Sequence, residues 1–366
     1  MLVVNAGSSS LKIRVLGHTD EVLYTEDLAA ERGVFVPAEL ERVLESIEPL
    51  FDAVGHRIVH GGAWFKGPTL LTSQVEDSLR ELIQLAPLHQ TTALAALDQV
   101  RRAIGSRPEV ACFDTAFHAS LPPEASTYAV PADWRDRLGV RRFGFHGLSH
   151  AYAGRRAAEV LERPIEELRI ASCHLGSGAS VTAILSGRSV DTTMGFTPLE
   201  GVVMATRSGS IDPGLVLWLL QQPGFKVGGV LHALETESGL RALAGTPDMA
   251  EVVESARGGD PDAGLALAVY VHRVKAAIAA MAASMDGIDA LSFTGGIGEN
   301  AATVRALVGS GLGFLGVQID ETLNASAEPD VDVSAGGSIP VLVLRAREDL
   351  QIAKEVRNVL SEWREE

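Results

Sequence analysis

One pattern, present twice, narrows the folds open to this chain more than any other. Residues 2–4 and 11–15 are apolar runs flanking Ala6, Gly7, Ser8, Ser9 and Ser10, and residues 170–175 and 181–185 flank Gly176, Ser177, Gly178, Ala179 and Ser180 in the same way. Each unit reads as strand, Gly/Ser turn, strand, a hairpin whose tip exposes backbone N–H groups and hydroxyls. Lys12 stands just past the first tip and His174 at the mouth of the second. Such a tip either holds phosphate or is simply a polar turn; it is not a G-x-x-x-x-G-K-[ST] loop, since that string and its helix are absent. A hairpin repeated this far along points to two similar domains, each offering one Gly-rich turn to a cleft. Chance repetition is the competing reading, because Gly and Ser dominate turns generally.

Length agrees with two domains: 366 residues, with 46% apolar and 21% charged side chains, can fill two cores at about 100–200 residues each. Between the hairpins, residues 75–85, 93–104, 152–161, 263–285 and 350–363 carry apolar side chains at helical spacing; in the longest, Leu267, Val271, Val274, Ile278, Met281 and Met285 form one stripe. Strands at 290–294 and 339–344 interleave with these helices, which predicts an α/β fold. No apolar run of about 18 residues stands out as a membrane span. The start, Met1 to Val4, runs at once into Asn5 and lacks a basic leader, so no signal peptide is expected. Two cysteines, Cys112 and Cys173, fit a reduced compartment, and the chain is read as cytoplasmic. With 31 basic against 47 acidic residues the formal charge is -16, so nucleic acid and anionic membrane surfaces are excluded as main partners. Any anion bound here requires a local basic pocket.

A third glycine cluster differs in kind. Gly295, Gly296, Ile297 and Gly298 follow the strand at 290–294, and Asn300 is placed to cap a helix over 301–308. Strand, glycine turn and helix N-terminus let backbone approach a flat or anionic ligand; a structural strand-to-helix connection is the alternative. Seven of the ten histidines, His56, His60, His89, His118, His146, His150 and His174, fall between residues 56 and 174. Their spacings fit no H-E-x-x-H or similar zinc pattern, so they read as site wall more than as metal ligands. Arg57, inside an otherwise apolar strand, demands an anion, and Arg207 sits in a small flexible loop over 204–213. Two arginines converging on one pocket would pair with a carboxylate and with the oxygens of a moving phosphoryl group. Asp114 between aromatic neighbours and Glu348 at the start of the last helix are the candidate carboxylates, and Mg²⁺ takes one or two such groups plus phosphate oxygens.

The motifs together resemble the acetate kinase family of short-chain carboxylate kinases: NAGSSSLK (5–12), GHRIVHGG (55–62), LAPLH (85–89), FDTAFH (113–118), FGFHGLSH (143–150), GFTPLEG (195–201), RSGSIDP (207–213) and FTGGIGEN (293–300). The resemblance implies the actin-like ATPase fold, two duplicated α/β domains around a central cleft. The domains would be 1–145, completed by a C-terminal helix at 350–366, and 146–349 with the nucleotide turn. It implies reversible transfer from ATP to acetate, giving ADP and acetyl phosphate by direct in-line displacement, with Mg²⁺ (or Mn²⁺) as the metal, in a homodimer. Carried across by residue, Arg57 and Arg207 would hold carboxylate and phosphoryl, His146 would stabilise the transition state, and Asp114 would act catalytically or orient the metal. Asn5 and Glu348 would serve Mg²⁺. Ser10, Lys12, His174, Gly176, Ser177 and Gly178 would line the phosphate path, and Asp248, Met249, Gly295, Gly296, Ile297, Gly298 and Asn300 the nucleotide. Val59, Leu88, Phe145 and Pro198 would wall the pocket for the substrate methyl.

The chemistry is consistent with this. A carboxylate is already ionised at neutral pH and needs no general base, so catalysis reduces to positioning and charge neutralisation. A sugar kinase would need an aspartate base and would leave the arginines unexplained. Three positions depart from the family pattern: Ser177 stands for an asparagine in HLGSG, Ala250 for an arginine, and Ala346-Arg347-Glu348-Asp349 for T-N-E-E. Arg347 is expected either to pair with Glu348 or to meet phosphate. Propionate in place of acetate, pyrophosphate in place of ATP, and a non-catalytic nucleotide switch are the rival readings.

Overall fold

The computed structural model describes residues 1–7, 10–29, 35–85 and 87–365, and side chains except those of 84–89 and 364–365. Ser8 and Ser9 of the first hairpin tip and the Leu88 side chain therefore lie outside the described residues. The chain forms two compact units, one of Met1–Ala119, Phe145–Tyr152 and Arg347–Glu366, the other of Ser120–Gly144 and Ala153–Ala346.

In the first unit, β1 (Leu2–Ala6), β2 (Ser10–Leu16) and β3 (Val22–Ala29) form an antiparallel meander. β4 (Val54–Ile58) joins β1 in parallel and β6 (Glu109–Phe113) joins β4 in parallel, while the two-residue β5 (Thr69–Leu70) closes the edge antiparallel to β6. Strand alternation then divides the side chains. One face sends Leu2, Val4, Ile13, Val54, Ile58, Ala111 and Phe113 into a core shared with Leu40, Leu44 and Ile47 of helix Pro37–Ile47 and Leu94, Leu97 and Val100 of helix Pro87–Ile104. The opposite face packs Val3, Val110 and Cys112 against Ile352, Ala353 and Val356 of the C-terminal helix Glu348–Glu365. Gly55 makes that contact possible: a Cβ there would lie 2.4 Å from Ile352 Cγ2 and 2.8 Å from Val356 Cγ2. A helix pressed this tightly onto β4 carries its first residue, Glu348, to the carboxyl ends of β1 and β4.

The second unit repeats the topology. β7 (Arg169–Leu175), β8 (Ala179–Leu185) and β9 (Arg188–Thr192) form a meander. β10 (Ala290–Thr294) lies parallel to β7 and β12 (Val341–Val343) parallel to β10, with β11 (Val331–Asp332) as the short antiparallel edge. Both sheets thus run meander, then two parallel crossovers, then a short edge. Helix Pro261–Ala283 packs across β7 and β8, burying Leu267, Tyr270, Val271, Val274, Ile278 and Met281. Asp260 caps it by accepting from the N–H groups of Asp262 (2.9 Å) and Ala263 (3.1 Å), with Pro261 pre-set at the first helical position. By length and composition this helix could span a membrane, with a mean hydropathy of 1.5, where reading the apolar runs alone passed it over. Its buried side chains are those of a core helix.

Several expected elements shift. The helices at 93–104 and 152–161 begin earlier, at Pro87 and Gly147. β3 is an edge strand that the sequence did not announce, because most of its residues are exposed and its pairing with β2 supplies the extended shape. Asn300 does not cap the helix after the glycine turn. The turn is itself helical, Gly295–Asn300, and Asn300 ends it by donating from Nδ2 to Gly296 O at 2.9 Å, while Ala301 precedes the next helix, Ala302–Gly309.

Candidate active site

In the first unit four side chains meet at the carboxyl ends of the strands. Arg57, on β4, donates from Nε and Nη2 to Asp114 at 3.0 and 2.6 Å and from Nη1 to Asn5 Oδ1 at 3.0 Å. Asn5 Nδ2 donates to Glu348 Oε2 at 2.6 Å, and that oxygen lies 3.8 Å from Arg57 Nη1. The register explains the gathering: Asn5, last but one in β1, lies beside Arg57, and Asp114 directly follows β6. Burial works against the Arg57 charge, but Asp114 and Glu348 outweigh it and raise its pKa, so the guanidinium stays charged. Burial also raises the Asp114 carboxyl and Glu348 adds to this, against the pull of Arg57 and of the His146 backbone N–H that Asp114 accepts.

His146 thereby joins the cluster. Its φ of 58° places a non-glycine residue in the left-handed region, a conformation that costs energy and gathers at functional sites. Gly147 behind it must be glycine, because a Cβ would lie 2.1 Å from Asp114 O, to which its own N–H is bonded at 2.9 Å. Val59 and Phe145 are both buried, and the Phe145 ring stands edge-on to His60 at 5.3 Å between centroids. Ser10 and Lys12 lie on β2, with Lys12 exposed and opposite Asn5 in the ladder.

Oxygen donors of this kind suit a hard cation. Among the described residues no group of three or more His, Cys, Asp or Glu side chains gathers that could hold a metal ion by itself. Arg347, expected to pair with Glu348 or to meet phosphate, grips Asp349 from Nε and Nη2 at 2.9 and 2.8 Å. Two residues apart at a helix start, Arg347 and Asp349 satisfy each other locally and leave Glu348 to Asn5 and Arg57.

In the second unit the Gly176 N–H donates to Gly178 O at 2.9 Å, closing the hairpin tip, and a Cβ on Gly176 would lie 3.7 Å from His174 Nε2 and 3.9 Å from Gly296 N. Hairpin and glycine turn are therefore neighbours. Gly295, with φ of 78°, allows no side chain, since a Cβ would meet Leu175 O at 2.8 Å, whereas Gly296 is exposed with open space above it. Ile297 is half-buried and Gly298 buried. Two residues without an assigned role hold this turn. Glu299 Oε1 accepts from the N–H groups of Gly295 (3.1 Å) and Ala346 (2.9 Å). Arg305, 2% exposed, donates to Gly298 O at 2.9 Å, Glu299 O at 2.7 Å and Asn324 Oδ1 at 2.7 Å. Glu299 lay in view inside FTGGIGEN; Arg305 gave no signal beyond a helical spacing. Asp248 caps helix Met249–Arg257 through Ala250 N at 2.7 Å and Met249 is core, and no hydrogen bond among the described residues joins either to the turn.

Arg207 is tied to the same hairpin through its loop: Ala205 N donates to Ser177 O at 3.1 Å. Its guanidinium donates to Pro198 O at 2.9 Å, and among the described residues no carboxylate lies within salt-bridge distance of it. Burial lowers its pKa and only Glu235, in the π-helical segment Ala233–Glu237, opposes this. A half-buried cation so weakly compensated gains more than a paired one would from any anion that comes near it.

Comparison with known proteins settles the lineage: the model of the acetokinase family matches residues 34–354. The chain belongs to the acetokinase family. An acetate kinase of Synechococcus sp. (strain JA-2-3B'a(2-13)) is 44% identical, covering 98% of this chain and 99% of that one, and one of Deinococcus deserti is 41% identical, covering 98% of each. Among solved structures, a propionate kinase from Francisella tularensis superposes with a TM-score of 0.90 at 34% identity, over 97% of this chain and 98% of that one. An acetate kinase from Porphyromonas gingivalis does so with a TM-score of 0.90 at 33% identity, over 98% and 99%. The repeated sheet topology is the actin-like fold of this family, and the duplication read from the two hairpins is its consequence.

Proposed function

We propose that this acetokinase-family chain catalyses the reversible, Mg²⁺-dependent transfer of the γ-phosphoryl group of ATP to acetate, giving ADP and acetyl phosphate. The observation that carries the reading is Arg207: half-buried, bonded to the Pro198 carbonyl, and without a salt bridge among the described residues. Arg57 is its complement, a guanidinium held rigid by Asp114 and Asn5. The acetate oxygen attacks phosphorus in line as the bond to the ADP oxygen breaks; no proton moves, since the nucleophile is ionised. Arg57, Arg207 and His146 neutralise the charge spread over the equatorial oxygens, and Asp114 keeps Arg57 and the backbone at His146 in place. Glu348, with Asn5 beside it, would hold Mg²⁺, which supplies charge neutralisation on the β- and γ-phosphates. His174, Lys12, Ser10 and the backbone of Gly176, Ser177 and Gly178 line the phosphate path, with adenosine against Gly296, Ile297 and Asn300. Val59, Phe145 and Pro198 are the residues assigned to the substrate's methyl group. Propionate is the second reading, favoured by the likeness to the Francisella protein; one methylene in an apolar pocket is worth only about 1–3 kcal/mol.

The assembly we propose is a homodimer. Helices Pro213–Leu220 and Val227–His232 expose Leu217 (63%), Trp218 (55%), Val227 (70%) and Leu231 (46%), an apolar surface suited to a second copy. The two buried free thiols, Cys112 and Cys173, accord with the cytoplasm.

Purified protein given ATP, Mg²⁺ and acetate should yield acyl phosphate trapped by hydroxylamine, and Arg57→Ala or Arg207→Ala should lower turnover by about a hundredfold or more with folding intact. No product from acetate, propionate or butyrate would refute the reading; near-parental rates in both variants would refute the roles.

A further inference from the structure

A compact polar unit lies behind the loop that carries Pro198, and the reaction scheme makes no use of it. The Tyr128 hydroxyl donates a short hydrogen bond to Glu200 Oε2 and accepts from the N–H of Phe196 at 3.0 Å. Arg142 donates from Nη2 to Glu200 Oε1 at 2.7 Å and from Nη1 to the carbonyls of Thr192, Thr193 and Met194, each at 3.0 Å. Its guanidinium carbon stands 5.5 Å from the centroid of the Tyr128 ring. Gly195 is the residue that lets the pieces meet, because a Cβ there would fall 1.7 Å from Glu200 Oε2 and 2.2 Å from the Tyr128 hydroxyl. The N–H groups of Phe143 and Gly144 close the arrangement on Gly195 O at 3.0 and 3.3 Å. One phenol, one carboxylate and one guanidinium therefore hold four backbone groups between residues 192 and 196, and the backbone of Phe143 and Gly144 holds a fifth. Pro198 is the middle of that loop, and its carbonyl receives Arg207 Nη1 at 2.9 Å.

We propose that Tyr128, Glu200 and Arg142 are positioning residues that set the depth of the acyl pocket and the aim of Arg207, and so fix how strongly the site prefers acetate over longer carboxylates. The inference rests on the carboxylate-kinase reading. A loop left free at these two ends would let Pro198 shift by a sizeable part of the length that one methylene adds, and Arg207 would move with its acceptor. Fixing both from behind leaves the pocket wall apolar while its backbone polar groups stay satisfied. Burial, followed by the bond to Glu200, raises the Tyr128 pKa, so the phenol remains a donor throughout the working range.

Tyr128→Phe is the decisive variant, since it removes one oxygen, and with it the acceptor of Phe196 N and a donor to Glu200. The expected result is a rise of about tenfold in KM for acetate with KM for ATP within about twofold, and a fall of about threefold or more in the acetate-to-propionate ratio of kcat/KM. Glu200→Gln, isosteric but neutral, should shift the same quantities less, and it decides by the same split if the phenylalanine variant does not fold. A variant that folds and raises both KM values by one factor, or moves neither, overturns the role. A parent chain that phosphorylates no carboxylate refutes the kinase reading and this role with it; an active parent whose folded variants keep the acetate KM and the substrate ratio refutes this role alone.

Discussion

Arg57 and Arg207 are chemically alike and differently balanced, and that asymmetry divides their work. Arg57 is bonded through three nitrogens to Asp114 and Asn5, so in the proposed reaction it would meet a ligand as a preformed fork, whereas Arg207 has little to offset its burial and would gain most when an anion arrives. His118 shows how burial alone controls a third group. Its Nε2 donates to Phe145 O at 3.0 Å, and burial depresses its pKa from 6.5 to about 4. The unfolded chain therefore takes up a proton below pH 6.5 that the native state refuses until about pH 4, so stability falls as pH drops through that window, by about 3 kcal/mol from this residue. Urea unfolding measured between pH 4 and 7.5 should trace that slope, and His118→Gln, which keeps a donor for Phe145 O, should flatten it; an unchanged slope would assign it to other groups. Which residues were legible in the sequence follows from the same physics. Arg57 was, because a cation in an apolar strand is costly wherever the chain goes. Tyr128 and Glu200 were not, because the phenol and the carboxylate that satisfy each other are separated by an entire meander, and neither segment betrays the other.

At the level of elements, the hairpins, the glycine turn and the long helices were legible because their signals are local: alternation, helical periodicity and Gly/Ser punctuation act over a few residues. The helical form of Gly295–Asn300 was not, because it is held by contacts beyond its own propensity, from Arg305 to its carbonyls and from Glu299 to Ala346. Nor was the seat of Glu348, which depends on a helix lying on a strand far away in sequence. Gly55 is the weak point of that seat. Gly55→Val should drive Ile352 and Val356 away from β4, lowering stability by about 1–3 kcal/mol through overpacking and, by shifting the helix start, raising the Mg²⁺ concentration needed for half-maximal activity. Urea midpoints and a Mg²⁺ titration check this together. Equal Mg²⁺ requirements in parent and variant would mean that the helix adjusts without moving Glu348.

At the scale of the molecule, one topology used twice gives each unit a Gly/Ser hairpin, with Lys12 beside one and His174 beside the other. A net charge of -16 repels polyanions at long range, and the proposed function gives these two hairpins the small ones. The exposed apolar helices of the second unit should hold two copies together, so Leu217→Asp is expected to shift the mass measured by light scattering from dimer to monomer at micromolar concentration; a parent chain that is monomeric would remove the expectation. The route of the chain has one more consequence. The sheet that begins at Leu2 takes its last layer from Glu348–Glu365, so on the ribosome it waits uncovered on one face while the intervening residues are made. At about 5–20 residues per second that interval is on the order of 10–45 s. Val3, Val110 and Cys112 are then the surface a nascent-chain chaperone would meet, and Glu348 is among the last parts of the site to arrive.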